Sequence, residues 1–161
     1  MNFSNKMNFY KFLNTKVLGL ICEEDDWLAN LANVSAKLYE YLDDINWCGF
    51  YLFKNKELIL GPFQGKSACT HIQIGAGVCG TAALNKKSIL VDDVDKFEGH
   101  IACDSASKSE IVIPIIVDNN LIAVLDIDSP FISRFDSDDV LGIEKIVDTI
   151  IKNIAFPRKF I

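Results

Sequence analysis

The runs EIVIPIIV (110–117) and LIAVLDID (121–128) are separated only by DNN (118–120). Two β-rich apolar segments joined by so short a polar turn have one economical arrangement, an antiparallel hairpin. Pro114 has no N–H to give, which implies an edge position or a bulge in that pair. Alternation along the second run puts Ile122, Val124, Asp126 and Asp128 on one face, and Leu121, Ala123, Leu125 and Ile127 on the other. Two carboxylates therefore end one face of a strand that is otherwise wholly apolar. Register decides whether Glu110 joins them. If DNN is a three-residue loop, Val117 pairs with Leu121 and Glu110 falls opposite Asp128 on the same face. A two-residue NN loop would turn Glu110 to the other face, because a one-residue slip inverts every side chain. The first arrangement, with three carboxylates gathered, is the expectation.

The rest of the chain supplies what a hairpin needs on either side. Helical spacing runs over about 8–22 (Phe9, Phe12, Leu13, Val17, Leu20) and 26–43 (Leu28, Leu31, Val34, Leu38, Leu42), with Asp25 or Asp26 placed to cap the second helix. WCGFYLFKNKELILGPFQG reads as a first hairpin turning at KNKE, CTHIQIG as a third strand, GVCGTAALNKK as a short Gly-started helix, and SILV as a brief strand. DSDDVLGIEKIVDTIIKNIA is a closing helix, acidic in its first turn and with Lys152 near its end, as the macrodipole favours. The order predicts an α+β fold, a central antiparallel sheet with helices packed on it.

With 161 residues, half of them hydrophobic and 24% charged, the chain suits one soluble domain. A net charge of -6 argues against broad nucleic-acid or anionic-membrane binding and fits a small cationic or zwitterionic ligand better. No apolar run reaches transmembrane length. Lys6, Lys11 and Lys16 before VLGLIC resemble a leader, but the apolar core is too short and Ile21 stands where a small residue should precede Cys22. That stretch reads as the buried face of a helix, and the expected location is the cytoplasm.

Five cysteines, at 22, 48, 69, 79 and 103, include no CxxC pair. Cys22 and Cys48 lie among apolar neighbours and read as small core residues. Cys69, Cys79 and Cys103 stand in Gly- and Ser-rich contexts, Cys103 within the polar segment GHIACDSASKSE (99–110). With Asp104 and Glu110 nearby, and only His100 and Lys108 to favour a thiolate, Cys103 is no ready-made nucleophile. A thiol can still attack a substrate whose leaving oxygen is protonated by a carboxylic acid, which suits reduction of an oxidised sulfur. The product is a cysteine sulfenic acid that a second thiol resolves as a disulfide, with Cys69 and Cys79 both candidates. Zinc is a weaker reading. Cys69, His71, Cys79, His100 and Cys103 offer enough donors, but their spacings match no ligand knuckle, so no metal is expected. Trp47 and Tyr51, four apart on one strand, share a face. They are core packing or a wall for a thioether-like group and a cation. GAGVCG lacks a nucleotide-binding pattern and reads as tight turns with free N–H donors.

Taken together, NWCGFYL, LGPFQGKSAC, IGAGVCGTA, GHIACDSASKSEIVIPI and IAVLDIDSP…RFDSDD resemble the free methionine-(R)-sulfoxide reductases, single-domain enzymes with a GAF fold. The similarity runs from about residue 27 to 150. It implies a single GAF domain over 1–161, with 1–25 an N-terminal helical extension of it. It also implies an oxidoreductase that acts on free L-methionine-(R)-sulfoxide without a bound cofactor, recycled by thioredoxin and NADPH. By the same resemblance Cys103 is the attacking thiol, Cys69 the resolving one that forms a disulfide with it, and Cys79 an auxiliary cysteine. Glu110, Asp126 and Asp128 match the active-site carboxylates, and Trp47 and Tyr51 the aromatic pocket. A homodimer is a further implication, at the level of fold analogy. The rivals are a GAF module that senses a small molecule without catalysis, and a thiol redox sensor in which Cys69 and Cys103 oxidise without substrate.

Overall fold

The computed structural model describes residues 5–99 and 105–157. Two helices, α1 (Lys6–Ile21) and α2 (Trp27–Tyr41), precede the strands β1 (Trp47–Lys54), β2 (Glu57–Gly65) and β3 (His71–Gln73). Helix α3 (Gly77–Asn85), strand β4 (Ile89–Val91) and a 3-10 turn (Val94–Lys96) follow. Strands β5 (Ser109–Val117) and β6 (Asn120–Ser129) and helix α4 (Ser137–Asn153) close the order. The strands form one antiparallel sheet in the order β3-β2-β1-β6-β5-β4. The fold is α+β.

The hairpin at the centre reaches the expected register by a different route. The turn is neither DNN nor NN: Val117 pairs with Asn120, leaving Asp118 and Asn119 as a two-residue loop. Both have positive φ, 48° and 66°, the geometry of a tight hairpin turn that Asp and Asn tolerate. That turn alone would have turned Glu110 away from the aspartates. A bulge corrects it. Ile116 pairs with Leu121 but Ile115 with Ala123, so Ile122 is an extra residue, and from there Glu110 falls opposite Asp128. The bulge sits beside Pro114 rather than at it. Pro114 pairs with Val124 on one side and lies beyond Val112, the partner of Ile89 at the end of β4, on the other. The same bulge exchanges two side chains against simple alternation. Ile122 joins Ala123 in the core under the helices, and Leu121 packs on the opposite face with Val124.

That helical core takes Cys48, Phe50, Ile111, Ile113, Leu125 and Ile127 from the sheet and stripes from α1, α2 and α4. The α1 stripe is Tyr10, Leu13, Val17 and Ile21, one residue around from the anticipated Phe9–Phe12–Leu20 side. Cys22 is therefore not a core residue. It is the C-cap of α1 and is exposed, one residue past the inward position of Ile21. On α2, Asp26 caps by accepting from the Ala29 N–H at 2.8 Å. Leu28 is 45% exposed, and the inward place in that first turn goes to Asn30, whose Nδ2 donates to the Glu24 carbonyl at 2.7 Å. The α4 cap is reciprocal between Asp136 and Asp139. Asp139 Oδ1 also accepts from Tyr10 Oη at 2.6 Å and its Oδ2 from Lys6 Nζ at 2.7 Å, fastening α1 to α4. The other face of the sheet is covered more thinly, by α3 and the segment around Val91 and Val94. It is there that the polar groups gather.

Candidate active site

Strand register brings the site residues into two rows on that thinner face. Trp47 on β1 lies opposite Asp128 on β6, which lies opposite Glu110 on β5. Two residues along, Gly49 is opposite Asp126, and Asp126 is opposite Val112. All three anticipated carboxylates and both anticipated aromatics are thus neighbours, and all five line one small cavity of ≈ 40 Å³. Ser67, Ala68, Ile72, Ser107 and the start of α3 (Ala76, Gly77, Val78, Cys79) complete its wall.

The aromatic side is built as a stack. Trp47 and Tyr51 stack with ring centres 5.8 Å apart and 23° between planes, and Trp47 and Phe63 lie 5.3 Å apart at 13°. A glycine makes this possible. A Cβ at Gly49 would stand 2.3 Å from Phe63 Cβ and 2.7 Å from Trp47 Cη2. Each ring also uses its polar tip. Trp47 Nε1 donates to the Lys66 carbonyl and Tyr51 Oη to the Cys69 carbonyl, both at 3.1 Å. The pair therefore holds the backbone that carries Cys69 across the cavity.

The α3 side is built by turn glycines. Gly75 and Gly77 have φ of 89° and 61°. A Cβ on Gly80 would meet the Gln73 carbonyl oxygen at 2.3 Å, so the helix start is pressed against β3. No side chain caps α3, which leaves first-turn N–H groups as donors beside the cavity.

Glu110 and Asp126 are each only 6% exposed. Burial pushes Glu110 well above the usual carboxylate range, and the charges of Asp126 and Asp128 push it further. Burial likewise raises Asp126, to about 6, with hydrogen bonds from Cys79 and Glu110 pulling it back. Of the two, Glu110 is the one pushed further toward its protonated form. Asp126 Oδ1 is buried with no hydrogen-bond partner among the described residues. Cys79 Sγ stands 3.8 Å from Glu110 Oε1 as a donor, its thiol pushed well up by burial and then by Asp126 and Glu110.

The cysteines separate clearly. Cys69 is disulfide-bonded, while Cys22, Cys48 and Cys79 are free. Cys103, with His100 and Asp104, lies outside the described residues. Of the donors weighed for zinc, His71 points outward from β3, 58% exposed and 3.2 Å from Glu57. Cys79 instead meets carboxylates: its Sγ and one oxygen each of Glu110 and Asp126 lie within 4.8 Å of one another. A divalent cation could bridge such a group, and without one the same spacing shares protons.

Sequence reasoning did not find Gly49, Phe63, Ser67, Ala68 or Ser107. Gly49 carried a readable signal, a glycine inside an otherwise bulky strand. Phe63 did not, because a register shift in β2 places it opposite Gly49.

A model of the GAF domain family matches residues 29–153. The chain is 51% identical over 151 residues to the free methionine-R-sulfoxide reductase of Escherichia coli (strain K12), covering 94% of this chain and 92% of that protein. The structure of fRMsr of Staphylococcus aureus in its reduced form is 53% identical with a TM-score of 0.88, covering 91% of this chain and 95% of that one. Free methionine-R-sulfoxide reductase from Neisseria meningitidis, solved in complex with its substrate, is 41% identical with a TM-score of 0.91, covering 95% and 92%.

Proposed function

Since the chain belongs to the free methionine-R-sulfoxide reductases, a family built on the GAF domain, we propose that it reduces free L-methionine-(R)-sulfoxide to methionine by thiol chemistry. The observation that carries this reading is the cluster of buried Glu110 and Asp126 with half-buried Asp128 beside the Trp47–Tyr51 stack, under a segment that bears Cys69. In this reading the Cys103 thiol attacks the sulfoxide sulfur while Glu110, the protonated carboxyl, gives its proton to the sulfoxide oxygen. The oxygen then passes as hydroxyl from the substrate sulfur to the Cys103 sulfur while the transient sulfur–sulfur bond breaks, so methionine leaves as its thioether and Cys103 becomes a sulfenic acid. Cys69 attacks that sulfur, water departs, and a Cys69–Cys103 disulfide remains for thioredoxin, reduced in turn by NADPH, to reopen. Support for Cys69 as the resolving thiol is that it is disulfide-bonded whereas Cys79 is free.

The substrate's other groups find partners in the same cavity. Asp126 and Asp128 suit its ammonium, the uncapped start of α3 suits its carboxylate, and the indole of Trp47 suits the methyl-sulfur end. A small cavity whose carboxylates hold a charged ammonium disfavours a sulfoxide inside a polypeptide, whose nitrogen is a neutral amide.

The test follows NADPH consumption with thioredoxin and thioredoxin reductase on free methionine-(R)-sulfoxide, its (S) epimer and a sulfoxide-containing peptide. Turnover of the free (R) epimer alone, abolished in Cys103→Ser, is the expected result. No turnover with any sulfoxide overturns the reading in favour of a ligand-sensing GAF module.

A further inference from the structure

Of the thiols among the described residues, Cys79 is the one in the cavity wall that the reaction above leaves without a part. Resting on that reductase reading, we propose that Cys79 is a positioning residue, a thiol that donates a hydrogen bond to the Glu110–Asp126 pair and sets where their shared proton sits.

Three observations converge. The Cys79 side chain is 4% exposed on the first turn of a helix whose start is pressed against β3 at Gly80 and Gln73. Its Sγ lies 3.8 Å from Glu110 Oε1, and an Asp126 oxygen is within 4.8 Å of both. Asp126 Oδ1, moreover, is buried with no hydrogen-bond partner among the described residues, so this carboxyl is short of donors. Among the described residues, the titratable groups around the sulfur are Glu110 from β5, Asp126 and Asp128 from β6 and Tyr51 from β1. No lysine, arginine or histidine among the described residues lines the cavity. Every described neighbour is anionic or neutral, so the thiolate is disfavoured and the S–H persists as a donor.

A donor on a carboxylate favours its ionised form. The Cys79 thiol therefore keeps the titration of the pair lower than burial alone would leave it. Removing the donor strands the proton on Glu110 to higher pH.

The experiment compares wild type, Cys79→Ala and Cys79→Ser by the pH dependence of kcat/KM for free methionine-(R)-sulfoxide, with thioredoxin recycling. The alanine variant is expected to move the alkaline limb upward by roughly half to one pH unit. The serine variant, still a donor, is expected to return it toward wild type. Both variants are expected to pass the first turnover, and in turned-over wild type Cys79 is expected to stay out of any disulfide by mass spectrometry. Arrest of both after one equivalent of methionine, with a trappable sulfenic acid, would show Cys79 to be a resolving thiol and overturn the proposal. An alkaline limb that does not move in the alanine variant overturns it too. If wild type turns over no sulfoxide, the reductase reading fails separately. The proposal is then read from the infrared carbonyl band of the protonated carboxyl, whose loss must come at higher pH in Cys79→Ala than in wild type.

Discussion

Gly49 shows how one missing side chain shapes the pocket. The Trp47 indole folds back over it to stack on Phe63, and any Cβ there overlaps the indole and the Cβ of Phe63. Gly49→Ala is expected to cost about 1–3 kcal/mol, the range for overpacking a filled site, and to raise KM by displacing Trp47. Urea unfolding and substrate titration check the two effects. An unaltered KM would mean that the indole position does not matter to binding. Trp47 and Tyr51 themselves were legible from their spacing, since residues four apart on a strand share a face. Their partner was not. Phe63 reaches Trp47 through a register shift that no local pattern of β2 announces.

Among the elements, α1 and α4 show a propensity rule overridden by packing. Replacing Gly142 in the middle of α4 by alanine would ordinarily gain about 1 kcal/mol of helix propensity. Here the new Cβ would stand 2.1 Å from Cγ of the buried Tyr10 ring, and the ring is tethered through its hydroxyl to Asp139. Overpacking costs about 1–3 kcal/mol where the neighbour cannot retreat, so the expected net is destabilisation. A lowered urea midpoint with unchanged slope would show it. KM for the sulfoxide should stay the same, because α1 and α4 cover the opposite face of the sheet from the cavity. The β5–β6 hairpin carries a second lesson at this scale. The opposition of Glu110 and Asp128 was expected from the sequence, but a two-residue turn and a compensating bulge at Ile122 produce it. Two one-residue shifts of phase cancel, and a reading that counted the turn as three residues arrives at the same pairing.

Across the whole molecule, one sheet separates a deep core under three helices from a thin layer in which burial works on carboxyls instead of methyls. That division has a consequence for stability against pH. Asp126 is raised from 3.8 to about 6 in the folded protein, so the unfolded chain loses that proton first. The folded state is favoured below about pH 4, and the advantage is lost as pH rises through 6. Glu110 acts in the same direction. Asp126→Asn should therefore be more stable than wild type at pH 8, by about 2–3 kcal/mol, and the gap should narrow by pH 4. Urea unfolding of both proteins at pH 4, 6 and 8 checks this. A gap independent of pH would mean that Asp126 ionises as freely in the fold as in the open chain.

The sequence by itself determined the elements, the α+β class and the shared face of Asp126 and Asp128, because alternation is local and acts at every residue, whereas Glu110 joined them through a bulge that the sequence did not announce. The helix faces were off by about one residue, at Phe12, Leu28 and Cys22, where a terminal turn or a cap leaves the periodic stripe. Only the tertiary structure decided which carboxyl is pushed further toward its protonated form, which cysteine meets it and which glycine makes room for the indole. Those outcomes depend on burial and on separations of 3–5 Å between residues far apart in the chain. Electrostatic energy in a buried site is set by such separations, not by neighbours in sequence.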